Sequence, residues 1–266
     1  MIELVMVGGG KMGEALLGGL LDAGWAAPER LAVVEKLPER AAELRDRFPG
    51  VTVTDAVVPA AAALIAVKPN DVDGVCRALA ALGADGPRRV LSIAAGITIA
   101  ALEACFEPSV AVVRAMPNTP ALVGKGAAAI APGRAAGAED LAWAESILRA
   151  VGTVAVVGEY QLDAVTGLSG SGPAYVFLVA EALIEAGVLN GLARPVAQDL
   201  AVQTLLGAAT LLAAGDRSAA DLRADVTSPG GTTAAGLRVL EQRAVRAALL
   251  DAVSAATARS AELGKA

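Results

Sequence analysis

The chain has 266 residues, enough for one large domain or two modest ones, and 55% of them are hydrophobic, enough to fill a sizeable core. A net charge of -6 without a run of Lys or Arg leaves no basic footprint for phosphates, so no nucleic-acid partner is expected. Histidine is absent, which removes Ser-His-Asp and Cys-His catalysis, most zinc sites and any histidine proton relay, and no metal site is expected. Cys76 and Cys105 sit in apolar or helical contexts and read as inert thiols in a reducing compartment. Met1 to Val5 runs into a strand without a secretory pattern, so a cytoplasmic protein is expected.

In chain order, Ile2 to Val7 reads as a strand ending in glycines, and Lys11 to Ala23 as a helix closed by Gly24. Leu31 to Val34 reads as a second strand, and Pro38 to Arg47 as a helix with proline in its first turn. Val51 to Thr54, Ala62 to Val67, Val90 to Ile93 and Val110 to Arg114 supply further strands, with helices over Asp71 to Leu82 and Thr98 to Cys105. Gly126 to Ala131 and Thr153 to Val157 add two more around a helix from Glu139 to Ala150. The alternation predicts an α/β fold with a mostly parallel sheet covered on both faces.

Strand signals vanish after Gly158, so the reading divides the chain into an α/β domain over 1–158 and an all-helical domain over 159–266. The helices Ala174 to Ala186 and Pro195 to Ala214 are apolar almost all round, a pattern that needs enclosure. A domain of that size has few places to enclose both, and a second copy of the chain is expected to cover them. The apolar stretches Ala174 to Leu189 and Leu200 to Gly215 are broken by Glu181, Glu185 and Gln203 and read as too short for a bilayer span. No membrane partner is expected.

The chemistry begins at Gly8-Gly9-Gly10-Lys11-Met12-Gly13, a G-x-G-x-x-G between a strand and a helix, which is the context of a Rossmann-type dinucleotide site. The first glycine permits the tight turn, the second the approach of a pyrophosphate, and the third the packing of helix on strand. Glu35, ending the second strand, stands where an acid binds the adenosine ribose hydroxyls and favours NADH, while Lys36 and Arg40 just beyond suit the 2′-phosphate of NADPH. Both cofactors stay open at this point. Ala66-Val67-Lys68-Pro69 and Ser92 to Gly96, with Ala94 and Ala95, end later strands at the edge where ligands of such sheets bind. Met116-Pro117-Asn118-Thr119-Pro120 ends another, its prolines fixing Asn118, which is expected to contact the cofactor. In the helical half, Val226-Thr227-Ser228-Pro229-Gly230-Gly231-Thr232-Thr233 offers backbone N–H groups and hydroxyls in one loop, a design for gripping a small anion. Glu159 at the boundary reads as a capping acid or an electrostatic partner for a cationic substrate.

These segments, with Val113 to Pro120 and Asp163 to Tyr175, resemble the pyrroline-5-carboxylate reductase family over nearly the whole chain. The Asp163 to Tyr175 and Thr227 to Thr233 stretches are the most specific marks. The resemblance implies NAD(P)H-dependent reduction of 1-pyrroline-5-carboxylate to L-proline, and a helical domain interleaved with a partner in a homodimer, up to a decamer. It further implies that Ser228, Gly230, Gly231, Thr232 and Thr233 hold the substrate carboxylate, with Glu159 near the substrate and Thr233 closest to the ring nitrogen. Lys68, Pro69, Ala95 and Asp225 are implied to line the cofactor, although family members often carry Asn where this chain has Asp225. A related imine or 3-hydroxyacid reductase ranks lower, since such enzymes rely on a helical lysine and only Lys265 follows Lys125 here. A sensor that binds NAD(P) without turnover leaves the hydroxyl-rich loop without a purpose.

Overall fold

The computed structural model describes residues 1–264. Its strands are β1 (Ile2–Val7), β2 (Leu31–Val34), β3 (Thr52–Thr54), β4 (Ala60–Ile65), β5 (Arg89–Ser92), β6 (Ala111–Met116), β7 (Gly126–Pro132) and β8 (Gly152–Val156). They form one sheet in the order β3-β2-β1-β4-β5-β6-β7-β8. Every pairing is parallel except β6 with β7. Between them lie α1 (Lys11–Asp22), α2 (Pro38–Arg47), α3 (Val72–Ala80), α4 (Ile99–Glu103) and α5 (Ala138–Arg149).

The period-two alternation of a strand puts successive side chains on opposite faces. In β1, Leu4 and Met6 enter a core with Leu16, Leu17 and Leu20 of α1, Leu44 of α2 and Ile147 of α5. Val5 and Val7 enter a second core with Val72, Cys76 and Leu79 of α3 and Leu102 of α4. Both faces of the sheet are therefore apolar and helix-covered, as a parallel sheet requires.

The remaining helices are α6 (Leu162–Val165), α7 (Gly172–Leu189), α8 (Arg194–Ala213), α9 (Ala219–Asp225), α10 (Thr232–Gln242) and α11 (Val245–Leu263). A π-helical turn, Thr166–Gly170, follows α6, and the Ser171 N–H closes it on the Thr166 carbonyl at 2.8 Å. The chain forms two compact units, Met1–Ser171 with the stretch from Ser254 onward, and Gly172–Val253. The first unit runs past Gly158, where the sequence reading placed the boundary. Leu162 is buried with Ile99, Ala129 and Ala131, and Ser260 donates to Asp163 at 2.7 Å, so the 159–171 segment is fastened to the α/β unit.

In the second unit, α7 and α8 pack closely where a Cβ on Gly187 would stand 2.9 Å from the Ala197 Cβ. The pair is otherwise open: α7 buries no residue and α8 buries Ala197 and Ala201 alone. Phe177, Leu178, Leu206 and Leu211 are each about 60% or more exposed in the single chain. One expectation from sequence is corrected here. The helical stretches Glu159–Leu189 and Arg194–Ala213 are long and apolar enough, by length and composition, to cross a membrane. The sequence reading counted apolar runs alone, whereas the helices extend N-terminal to them and the few charges do not lower the mean hydropathy below that of a span.

Candidate active site

Because β1, β2, β4, β5 and β6 are parallel, their carboxyl ends share one edge, and the order reverses between β1 and β4. That reversal opens the crevice where ligands of doubly wound sheets bind. Gly8 follows β1 there, its N–H bonding the Val34 carbonyl at 3.0 Å. Its φ of +114° suits glycine, and a Cβ would stand 2.6 Å from the Ala66 carbonyl oxygen. A Cβ on Gly13 would lie 2.1 Å from the Gly8 carbonyl oxygen, so helix and turn touch backbone to backbone. Gly9 is packed against Leu44 and Glu35. Gly10 differs from all three: a Cβ there meets nothing within 4 Å, and it caps the N-terminus of α1 without a side-chain hydrogen bond. The first N–H groups of α1 have no intrahelical acceptor, and the space beside Gly10 is open, a cradle that fits a pyrophosphate.

At the end of β2, Glu35 accepts from the Gly9 N–H at 3.2 Å and the Leu37 N–H at 2.9 Å. These two bonds hold the carboxylate against the glycine turn. Lys36 beside it is exposed. Arg40, read from sequence as a candidate for a 2′-phosphate, is engaged elsewhere: Nε donates to the Gly9 carbonyl at 2.8 Å, Nη1 to Glu43 at 2.7 Å, and Nη2 to Glu14. Hydrogen bonds to Glu43 and Glu14 raise its pKa above the ordinary arginine value. Ala66 and Val67 adjoin Gly8, with Lys68 and Pro69 exposed just beyond, and after β5 Ala94 is buried and Ala95 exposed. The residues from Glu35 through Gly8 and Ala66 to Ala94 therefore stand in a row across four neighbouring strands.

Asn118, expected to contact the cofactor, is 8% exposed and both ends of its amide meet the protein. Nδ2 donates to the Ser169 carbonyl of the π-helical turn at 2.9 Å, and Oδ1 accepts from the Ala127 N–H at 2.8 Å. It ties the loop after β6 to β7 and to the turn that leads into α7. Glu159 also has partners within its unit: Oε1 accepts from the Ile99 N–H at 2.6 Å and from Arg114 Nη1 at 3.0 Å. It borders a surface depression with Ile99, Ala100, Glu103, Ala104, Pro132, Gly133 and Arg134, which includes none of the expected cofactor residues. Arg114, its partner, went unnoticed in the sequence, although a lone charge inside the apolar run Ala111–Met116 was the available signal.

In the second unit, Ser228-Pro229-Gly230-Gly231 turns into α10. Gly230 has φ +71°, and the Gly231 N–H bonds the Ser228 carbonyl at 3.1 Å. Gly231 caps α10 without a side-chain hydrogen bond, so the opening N–H groups and the hydroxyls of Ser228, Thr232 and Thr233 gather at one helix end. Such an end holds a carboxylate well. Asp225, implied to line the cofactor, pairs with Arg217 at 3.0 Å within the second unit. Among the described residues no group of His, Cys, Asp or Glu is arranged to hold a metal.

Residues 159–263 match the family described as pyrroline-5-carboxylate reductase dimerisation, and residues 3–96 match NADP oxidoreductase coenzyme F420-dependent. The chain is 46% identical to the pyrroline-5-carboxylate reductase of Mycobacterium tuberculosis, over 99% of this chain and 97% of that one. It is 46% identical to the enzyme of the same name from Synechocystis, over 99% of each. The fold superposes on the Coxiella burnetii pyrroline-5-carboxylate reductase structure with a TM-score of 0.92 and 36% identity, covering 98% of both chains. The Plasmodium falciparum pyrroline carboxylate reductase, solved with NADP bound, gives a TM-score of 0.85 at 30% identity, covering 99% of this chain and 98% of that one.

Proposed function

The chain belongs to the pyrroline-5-carboxylate reductase family, and from that premise we propose that it reduces 1-pyrroline-5-carboxylate to L-proline with NADPH or NADH. The observation that carries the reading is the pair of helix N-termini without side-chain caps, one in each unit. That of α1 sits behind a glycine turn with room for a diphosphate, and that of α10 is ringed by hydroxyls.

Gly8, Gly9, Gly10, Lys11, Met12 and Gly13 hold the dinucleotide diphosphate, Glu35 and Lys36 bound the adenosine ribose, and Ala66 to Pro69 with Ala94 and Ala95 line the remainder. Bound reduced nicotinamide supplies the hydride that the imine carbon receives. Ser228, Gly230, Gly231, Thr232 and Thr233 grip the substrate carboxylate and so orient the ring, and orientation of this kind supplies much of the rate. Thr233 donates or relays a proton at the ring nitrogen, which needs no histidine because an imine is basic enough to be readily protonated near neutral pH. Glu159 acts by positioning: through Ile99 and Arg114 it fixes the loop that carries Ala94 and Ala95. Asn118 likewise positions the loop after β6, and Asp225 keeps its partner Arg217. The 159–266 region pairs with a second copy in a homodimer, up to a decamer, in the cytoplasm, without membrane or nucleic acid. The apolar flanks of α7 and α8 support that pairing.

The test is initial-rate kinetics of purified protein with 1-pyrroline-5-carboxylate and each reduced dinucleotide, beside Thr233→Ala. Saturable oxidation by wild type and a substantial loss of kcat in the variant are expected. Absence of turnover from protein that binds the dinucleotide contradicts the substrate assignment, and unchanged kinetics in the variant removes Thr233 from the mechanism.

A further inference from the structure

We propose that the adenosine end of the site selects NADH over NADPH, with Glu35 as the determinant and Arg40 withheld from a 2′-phosphate by its clamp. The inference rests on the proposed dinucleotide site and adds the choice between the two cofactors.

Which charges are free at the adenosine end decides between the two cofactors. Glu35 is held in place by the Gly9 and Leu37 N–H groups, so its carboxylate is fixed beside the glycine turn instead of swinging to solvent. A carboxylate has about four lone-pair positions, and two backbone donors leave acceptor capacity for ribose hydroxyls. A 2′-phosphate carries about -1.5 to -2 charge near neutral pH and finds in that place a fixed like charge. Discrimination in its favour needs a cation with unused donors, best a guanidinium fork. Arg40 has the right sequence position, but each of its three nitrogens already donates, Nε to the Gly9 carbonyl, Nη1 to Glu43 and Nη2 to Glu14, and the two carboxylates offset its charge. Arg47 bonds the other Glu14 oxygen. Of the basic residues Lys11, Lys36, Arg40 and Arg47, only the two lysines lack an ion pair, and an exposed ammonium offers no bidentate recognition.

The experiment is calorimetric titration of the purified full chain with NADH and with NADPH, repeated for Glu35→Ser and Lys36→Ala, with thermal melting to confirm that each variant is folded. Wild type is expected to bind NADH at least about tenfold more tightly, which is ~1.4 kcal/mol. Glu35→Ser is expected to bring the two affinities within about threefold, mainly by tightening NADPH, because it removes the like charge. Lys36→Ala is expected to preserve or widen the wild-type preference. Equal or tighter NADPH binding by wild type overturns the proposal without any variant, and so does a ratio unmoved by Glu35→Ser in a folded protein. Failure to bind either dinucleotide overturns the site itself, a result distinct from a reversed preference.

Discussion

Replacing Gly10 with alanine separates the folding role of the glycine turn from its binding role. Gly10 has φ -65° and ψ -176°, a conformation any residue adopts, and a Cβ there meets nothing within 4 Å. Two small terms act on stability: alanine is a poorer helix N-cap than glycine by about 0.5–1 kcal/mol, and it lowers the entropy of the unfolded chain by about 0.4–1 kcal/mol. They oppose each other, so the net change is within about 0.5 kcal/mol and the melting temperature moves by no more than about 2 °C. The same methyl group fills the space that the diphosphate needs, and loss of one charge-assisted hydrogen bond is worth about 1.5–3 kcal/mol. Dinucleotide affinity is therefore expected to fall roughly 10- to 100-fold. Gly13→Ala is the counterpart: its Cβ would stand 2.1 Å from the Gly8 carbonyl oxygen, and the forced shift costs about 1–3 kcal/mol in stability. Melting curves and calorimetric titration with NADH on both variants read the two effects separately. Wild-type affinity in Gly10→Ala, or a melting temperature lowered as far as that of Gly13→Ala, refutes the reasoning.

Glu159→Ala leaves the nearly buried Arg114 without its carboxylate and the Ile99 N–H without an acceptor; with Glu159 itself 34% exposed, a loss of about 1–3 kcal/mol is expected in urea denaturation. Wild-type stability would show that the pair does not hold the 159–171 segment. Cys76 is fully buried, and burial, helped by the neighbouring Cys105, pushes its thiol up to about 12, so at pH 8 it carries almost no thiolate. Iodoacetamide at that pH is expected to spare Cys76 in the native chain and label it once urea is added, as peptide mass mapping reads directly; prompt native labelling contradicts the packing. Leu178→Glu with Leu206→Glu places charge on the open flanks of α7 and α8 and is expected to shift light-scattering mass toward the monomer, while an unchanged mass means those flanks are not the interface.

Features with a local spacing were legible in the sequence. Gly8 and Gly13 each correspond to a backbone demand that glycine alone meets well, Gly10 leaves open space beside the helix end, and β1 to β8 lie within a few residues of their apolar runs. The all-round apolar character of α7 and α8 foretold surfaces that one chain leaves uncovered. Contacts between residues distant in sequence were not legible. Asn118 stands in a rigid two-proline loop, yet nothing local says that its amide reaches Ser169 and Ala127. Arg40 reads as available until the fold brings Glu14 and the Gly9 carbonyl to it from 26 and 31 residues away. The Glu159 and Arg114 pair spans 45 residues, and the π-helical turn that receives Asn118 has no helix-breaking signature distinct from its glycines.

The most direct test of the central claim is isotope transfer: purified protein is given 1-pyrroline-5-carboxylate and NADH or NADPH carrying deuterium at the transferable C4 position, and the proline formed is analysed by mass spectrometry. The account predicts one deuterium per proline, on the former imine carbon, in step with dinucleotide oxidation. Proline without the label, or dinucleotide oxidation without proline, contradicts it.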